Sequence, residues 1–182
     1  RISPAPKVRL GISSLLTTDE SFKAAASGRA DLSRTRYQRI ERLVNQAIDA
    51  YPRPTHLLLP ELSLPERWIE TVSRLLHDAG ISLIAGLDYH HGKKSETHSE
   101  AVLVLADDRL GFRSSVQIRQ AKSLPAAGEE ENLLHMFGLK WAEHLAGGRK
   151  PVYNHGGFCF GVLVCSELQN IAHRQQFQGN VD

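Results

Sequence analysis

Apolar residues recur along this chain with two different periods. From Arg34 onward, Tyr37, Ile40, Val44, Ala47, Ile48 and Tyr51 follow one another at helical spacing. This predicts an amphipathic helix whose arginines, in "SRTRYQRIERLVNQ", form its wet face. Pro52 and Pro54 end it. A second helical pattern carries Trp68, Ile69, Val72, Leu75, Leu76 and Ala79 to Gly80, a good C-terminal stop. Ahead of it, Ser63-Leu64-Pro65-Glu66 has the spacing of a capping box, and Pro suits a first helical turn. Short alternating or β-branched runs predict strands at Val8–Ser13, His56–Leu59, Ile81–Ala85, Ala101–Leu105, Phe112–Ile118 and 158–164. The Ala101 and Phe112 strands form a pair joined across Asp107-Asp108-Arg109-Leu110-Gly111. Residues 17–33 read as a loop, 88–99 as a polar loop containing histidines, and 126–150 as irregular, with two glycines at 147–148. Strands alternate with helices in the first half and follow one another in the second, which predicts one α/β domain with a mixed sheet over residues 1–182.

The totals narrow the class. A chain of 182 residues makes one domain that buries about 70% of its unfolded surface. A net charge of +2 is too mild to imply nucleic-acid or membrane binding. No apolar segment approaches the ~20 residues of a membrane span, and no secretory signal is visible. The two cysteines, Cys159 and Cys165, lie on one predicted strand, ~20 Å apart and too distant for an easy bridge. A reducing, cytoplasmic setting is expected. The chain starts at Arg1 rather than Met, as a piece of something longer would.

Three ionisable residues stand at comparable places. Glu61 follows the strand His56–Leu59 and Pro60, Lys122 follows the strand ending at Ile118, and Cys165 closes the strand 158–164. In an α/β sheet, residues just past strand ends converge on one rim, where ligands bind. A thiol, an ammonium and a carboxylate meeting there would form a working set. A cation and a following helix N-terminus lower a thiol pKa, the carboxylate can take its proton and later activate water, and the lysine can stabilise an oxyanion. The histidines do not compete. His90, His91 and His98 sit in the polar loop without helical pairing to carboxylates, and His135, His144 and His155 are spaced too loosely for a metal site. Cys159 reads as a packing residue.

"LLLPELSL" (57–64), "RQAKSLPAAGEEE" (119–131) and "GVLVCSELQN" (161–170) resemble, in order, the three signature stretches of the nitrilase, or carbon–nitrogen hydrolase, superfamily. "ISLIAGL" (81–87) and "AVLVLADDRLG" (101–111) are similar to that family's intervening strand and hairpin, so the likeness runs from about Val8 to the chain end. The resemblance implies an α-β-β-α sandwich, incomplete at its C-terminal end because the chain stops at Asp182, soon after Cys165. It implies a hydrolase of non-peptide carbon–nitrogen bonds (amide, carbamoyl or nitrile) acting through a Cys acyl-enzyme. Glu61 would be the general base, Lys122 the charge stabiliser and Cys165 the nucleophile. Glu129 would be the accessory glutamate that positions substrate and lysine, with Glu130 and Glu131 as alternatives. The Ser166 backbone N–H would complete the oxyanion hole, and Glu167 would be a structural hydrogen-bond acceptor. No cofactor or metal is implied. The implied partners are a small amide or nitrile substrate and further copies of the chain in a homo-oligomer.

The chain departs from the family pattern in three places. Ser166 stands where an aromatic residue often follows the nucleophile, Ser99 and Glu100 where an Asn often precedes the hairpin strand, and Ser123 where a His often follows the lysine. They leave the chemistry intact and alter the substrate pocket. "LPELSLPERWIETVSRLLHDAGISLIAGLDYH" is also similar to nitrilase-like domains fused to reverse transcriptases in bacterial antiphage systems. This resemblance implies an alternative, a non-catalytic assembly or regulatory domain of a larger defence protein. Nucleic acid would enter only through a fused polymerase domain.

Overall fold

A computed structural model describes residues 7–109, 111–145 and 148–182 of the chain. Leu110 of the expected hairpin turn and Gly147 lie outside the described residues. The principal sheet has five strands in the order β1 (Leu10–Ile12), β2 (His56–Leu64), β3 (Ser82–Leu87), β6 (Glu100–Asp107) and β7 (Ser114–Ala121). β1, β2 and β3 run parallel, whereas β3 pairs antiparallel with β6 and β6 with β7. The expected α/β class with a mixed sheet is therefore present.

Strand alternation explains why both faces of this sheet are covered. Leu57, Leu59, Leu83, Ala85, Val102 and Val104 point to one face. There they meet Ile40, Val44 and Ala47 of α2 (Arg34–Asp49) and Ile69, Val72 and Leu76 of α3 (Ile69–Asp78). Ala101, Leu103 and Leu105, one residue out of phase, point to the other face and meet Tyr153 and Val164. Tyr153 belongs to β9 (Val152–His155), which pairs with β10 (Phe158–Gly161) as a second, two-stranded sheet. The layers are thus helices, five strands, two strands.

A third apolar cluster gathers at the rim. Ala25 and Ala26 of α1 (Asp19–Ala26) pack with Leu62, Tyr89, Leu133 of α4 (Glu129–Phe137), Leu139 and Trp141, with Phe22 and Phe137 beside them. A small sheet of β4 (His90–His91), β5 (Glu96–His98) and β8 (Lys140–Trp141) closes this side. α1 falls within the stretch expected to be a loop, and α4 and β8 within the stretch expected to be irregular. The expected polar loop 88–99 contains β4 and β5.

Other departures have local causes. The Ser63–Glu66 capping box does not form, because β2 continues to Leu64. Ser63 Oγ instead donates to Gly86 O at 3.1 Å, Glu66 pairs with Arg119, and a 3-10 turn at Glu66–Trp68 leads into α3. Arg36, expected on the wet face of α2, is buried, with Nη2 2.7 Å and Nη1 3.2 Å from the two Asp88 carboxylate oxygens. The strand expected over 158–164 ends at Gly161. Past it, Gln120 Nε2 donates to Val162 O and Val164 N donates to Glu167, so side chains rather than a neighbouring strand take up these backbone groups.

His56, buried beneath the second sheet, has rings of His155 and Phe160 edge-on to its own. Burial first, and then His155, pushes its pKa down to about 4. The unfolded chain takes up this proton near pH 6.5 and the folded one only near 4, so stability is lost as pH falls through that window and unaffected above it. Urea melts at pH 7.5 and pH 5 are expected to differ by about 2 kcal/mol more in the native protein than in His56→Phe. Equal differences would refute the assignment.

Candidate active site

The site begins with a deformation of β2. Pairing between β2 and β3 shifts register between Leu59 and Leu64, and Leu62 adopts φ +54°. This bulge turns Glu61 toward the face that carries the second sheet. Gly86 of β3 lies directly against it, and a Cβ there would stand 2.4 Å from the Glu61 Cα, so only glycine fits. The freed Leu62 carbonyl accepts from Arg36 Nη2 at 2.9 Å and Thr17 Oγ1 at 3.2 Å. The Arg36–Asp88 pair therefore holds the bulge as well as α2.

Lys122 follows β7 and has no solvent exposure. Its ammonium donates to Glu61 Oε1 at 3.0 Å and Glu129 Oε2 at 2.6 Å, and stands 5.4 Å from the centre of the Trp141 ring. Burial works against this charge, but the carboxylates of Glu61 and Glu129 outweigh it and hold the lysine pKa above its ordinary value. Each glutamate is fixed by further donors. Ser99 Oγ donates to Glu61 Oε1 at 2.6 Å, Tyr89 OH donates to Glu129 Oε1 at 2.7 Å, and Ala126 N donates to Glu129 Oε2 at 2.6 Å. Burial, and then Glu129, push the Tyr89 pKa far upward, so the phenol is a donor at every working pH.

Cys165 opens a 3-10 turn, Cys165–Gln169, with φ +50°. A left-handed non-glycine residue costs on the order of 1–3 kcal/mol and persists only where its surroundings impose it. The residue is exposed as a whole, yet its thiol pKa is raised, first by the protein around the sulfur and then by the hydrogen bond and charge of Glu61. Lys122 and the Ser166 backbone N–H pull the other way and do not cancel this. The expected lowering of the thiol pKa is therefore corrected. The following turn is too short to act as a helix N-terminus, and Glu61 outweighs Lys122. The surroundings of the sulfur therefore favour its thiol form.

The structure thus brings Glu61, Lys122, Glu129 and Cys165 together, with the Ser166 amide facing the sulfur. Glu129 is the glutamate that reaches Lys122; Glu130 Oε1 accepts from Trp141 N at 3.3 Å, away from the lysine. Glu167 is buried, accepting from Ser123 N at 2.7 Å and Val164 N at 2.9 Å. Sequence reasoning missed Tyr89 and Trp141, although Tyr89 stands just past a strand end, where the rim rule applies. Ser99, read only as a departure from a pattern, is a direct partner of Glu61. A cavity of about 330 Å³ lies between the sheets, with Leu58, Ile84, Phe160 and Val162 as walls and Glu61 and Cys165 at its edge.

The histidines are placed otherwise. His90 and His98 face each other across β4 and β5, and His98 Nε2 is 3.1 Å from Glu100. Among the described residues no three His, Cys, Asp or Glu side chains are grouped to hold a metal. Cys159 is half-buried in β10 and accepts from Asn154 Nδ2 at 3.3 Å. Among the described residues no helix is long and apolar enough to cross a membrane. No family model matches the chain, and the search of curated proteins finds no match.

Removing the Glu61 charge tests this electrostatic picture. Glu61→Gln is expected to shift the pH midpoint of Cys165 alkylation by iodoacetamide downward, because the carboxylate favours the protonated thiol. Peptide mass spectrometry reads the rate, with Cys159 as internal reference. An unchanged or raised midpoint would show that Glu61 does not govern the sulfur.

Proposed function

We propose that this is a thiol-dependent hydrolase of non-peptide carbon–nitrogen bonds, built on a nitrilase-like α-β-β-α sandwich. The observation that carries it is Cys165, held in a left-handed conformation on the same cavity as Glu61, while that carboxylate binds a fully buried lysine. Ser99 and Lys122 both donate to Glu61 Oε1, and among the described residues Oε2 has no donor. Oε2 is thus the oxygen that takes the Cys165 proton as Sγ attacks the substrate carbon. Two of the three Lys122 N–H donors are engaged by glutamates, so the third, with the Ser166 amide, is left for the developing oxyanion. For an amide or carbamoyl substrate, collapse of the tetrahedral adduct breaks the C–N bond, and the proton on Glu61 passes to the departing nitrogen; a nitrile first gives a thioimidate, to which one water adds before the same collapse releases ammonia. Water then gives a proton to Glu61 and attacks the thioester, the thiolate leaves and is reprotonated, and the acid is released.

A thiol with a raised pKa suits this sequence, since proton transfer to Glu61 accompanies attack and the thiolate need not exist beforehand. The experiment is intact-mass analysis after mixing the protein with a panel of aliphatic and aromatic amides, carbamoyl compounds and nitriles, quenched in acid. An adduct of the acyl mass on Cys165 with matching ammonia or amine release is expected for at least one class. Absence of adduct and of release across all three classes would remove the proposal.

A further inference from the structure

Lys150 is a buried cation that the proposed reaction does not use. It stands before β9, is 6% exposed, and its backbone N–H donates to Gln176 Oε1 at 2.8 Å. Its ammonium donates to Ala121 O at 3.0 Å and pairs with Glu167 Oε1 at 2.6 Å. Glu167, 2% exposed, takes Ser123 N on Oε1 and Val164 N on Oε2. Ala121 and Ser123 are the two neighbours of Lys122, and Val164 immediately precedes Cys165. One lysine and one carboxylate therefore bind the backbone on both sides of Lys122 to the backbone that presents the thiol.

We propose that Lys150 is a positioning residue that, through Glu167, sets the spacing between Lys122 and Cys165. This rests on the hydrolase reading above. Stability alone does not explain such a pair, because a buried ion pair is often matched by apolar residues of similar volume. What apolar residues cannot reproduce is a carboxylate whose two oxygens hold Ser123 N and Val164 N at once. β7 ends at Ala121 and β10 at Gly161, so no sheet ladder joins the two segments. Glu167 and Lys150 provide the connection next to Lys122 and Cys165, beside the bond from Gln120 Nε2 to Val162 O. The strained φ of Cys165 follows directly after the clamped Val164 amide, so the clamp also opposes relaxation of that residue.

The test is the paired variant Lys150→Met/Glu167→Gln, which removes both charges together and leaves no buried unpaired ion. It is expected to fold cooperatively, with the pH midpoint of Cys165 alkylation raised by about one unit and the rate at pH 7.5 lowered about tenfold, as the Lys122 cation is no longer held beside the sulfur. Cys159 should react as before. A folded variant with an unchanged Cys165 profile overturns the proposal. Native-state hydrogen exchange on the unaltered protein covers a variant that fails to fold. The Ser123 and Val164 amides should open together with one free energy, and independent opening overturns the clamp. Failure of the hydrolase reading is distinguishable. In that case no acyl adduct forms with any of the three substrate classes, while the Cys165 alkylation profile of the paired variant still reads the clamp by itself.

Discussion

Cys165→Ala is expected to lose carbon–nitrogen hydrolysis by at least about four orders of magnitude while keeping its melting temperature within a few degrees. The reasons for the two halves of this result are separate. The other thiol, Cys159, lies in β10 and bonds Asn154, away from Glu61 and Lys122, so it cannot take over the acyl intermediate. The residue is exposed and a thiol-to-methyl change removes little packing, so stability moves by about 1 kcal/mol or less. Ammonia release and a thermal melt on the same preparation read both. The substitution also separates the two functional readings. In an assembly or regulatory domain within a larger protein, Cys165→Ala keeps the biological function of that protein, whereas in an enzyme it abolishes it.

Lys122→Met is expected to be the most damaging single substitution for stability. Methionine keeps the volume and the contact with Trp141 but leaves Glu61 and Glu129 facing each other without the cation that both now bind. Breaking a buried pair by removing one partner costs about 3–5 kcal/mol. Activity should fall by about 10²–10³ or more through loss of oxyanion charge. Urea melts at pH 7 check the stability statement, and a Lys122→Met protein as stable as the native one would contradict it.

Helices α2 and α3 were legible because each has an apolar stripe at a constant period, readable without knowing what it packs against. α1 was not, because "DESFKAAA" offers only Phe22, Ala25 and Ala26 to a partner, and alanines form a buried face only once Tyr89 and Trp141 are brought to meet them. α4 has a sequence signal that went unread: Gly128 and Gly138 bracket it and three glutamates fill its first turn. The site was legible as residue types at strand ends. The bulge that turns Glu61 inward was not, since it depends on Gly86 in the neighbouring strand and on Arg36 from a helix face that reads as wet.

By itself the sequence determined the α/β class, the order of the main elements and the identity of the ionisable residues at their ends, because periodicity and turn residues act over a few neighbouring positions. Only the tertiary structure decided the state of the thiol. A local reading counts a nearby lysine and a helix start, both of which favour a thiolate, whereas Glu61, far away in the chain, lies against the sulfur and reverses the sign. The family resemblance pointed to Glu129 among three adjacent glutamates, and the tertiary structure supplied the reason, a helical turn that directs it at Lys122. The tertiary structure alone joined Lys150 to Glu167 and so linked Lys122 to Cys165. Charges and hydrogen bonds act through space, and the distances that set their strength exist only in the folded chain.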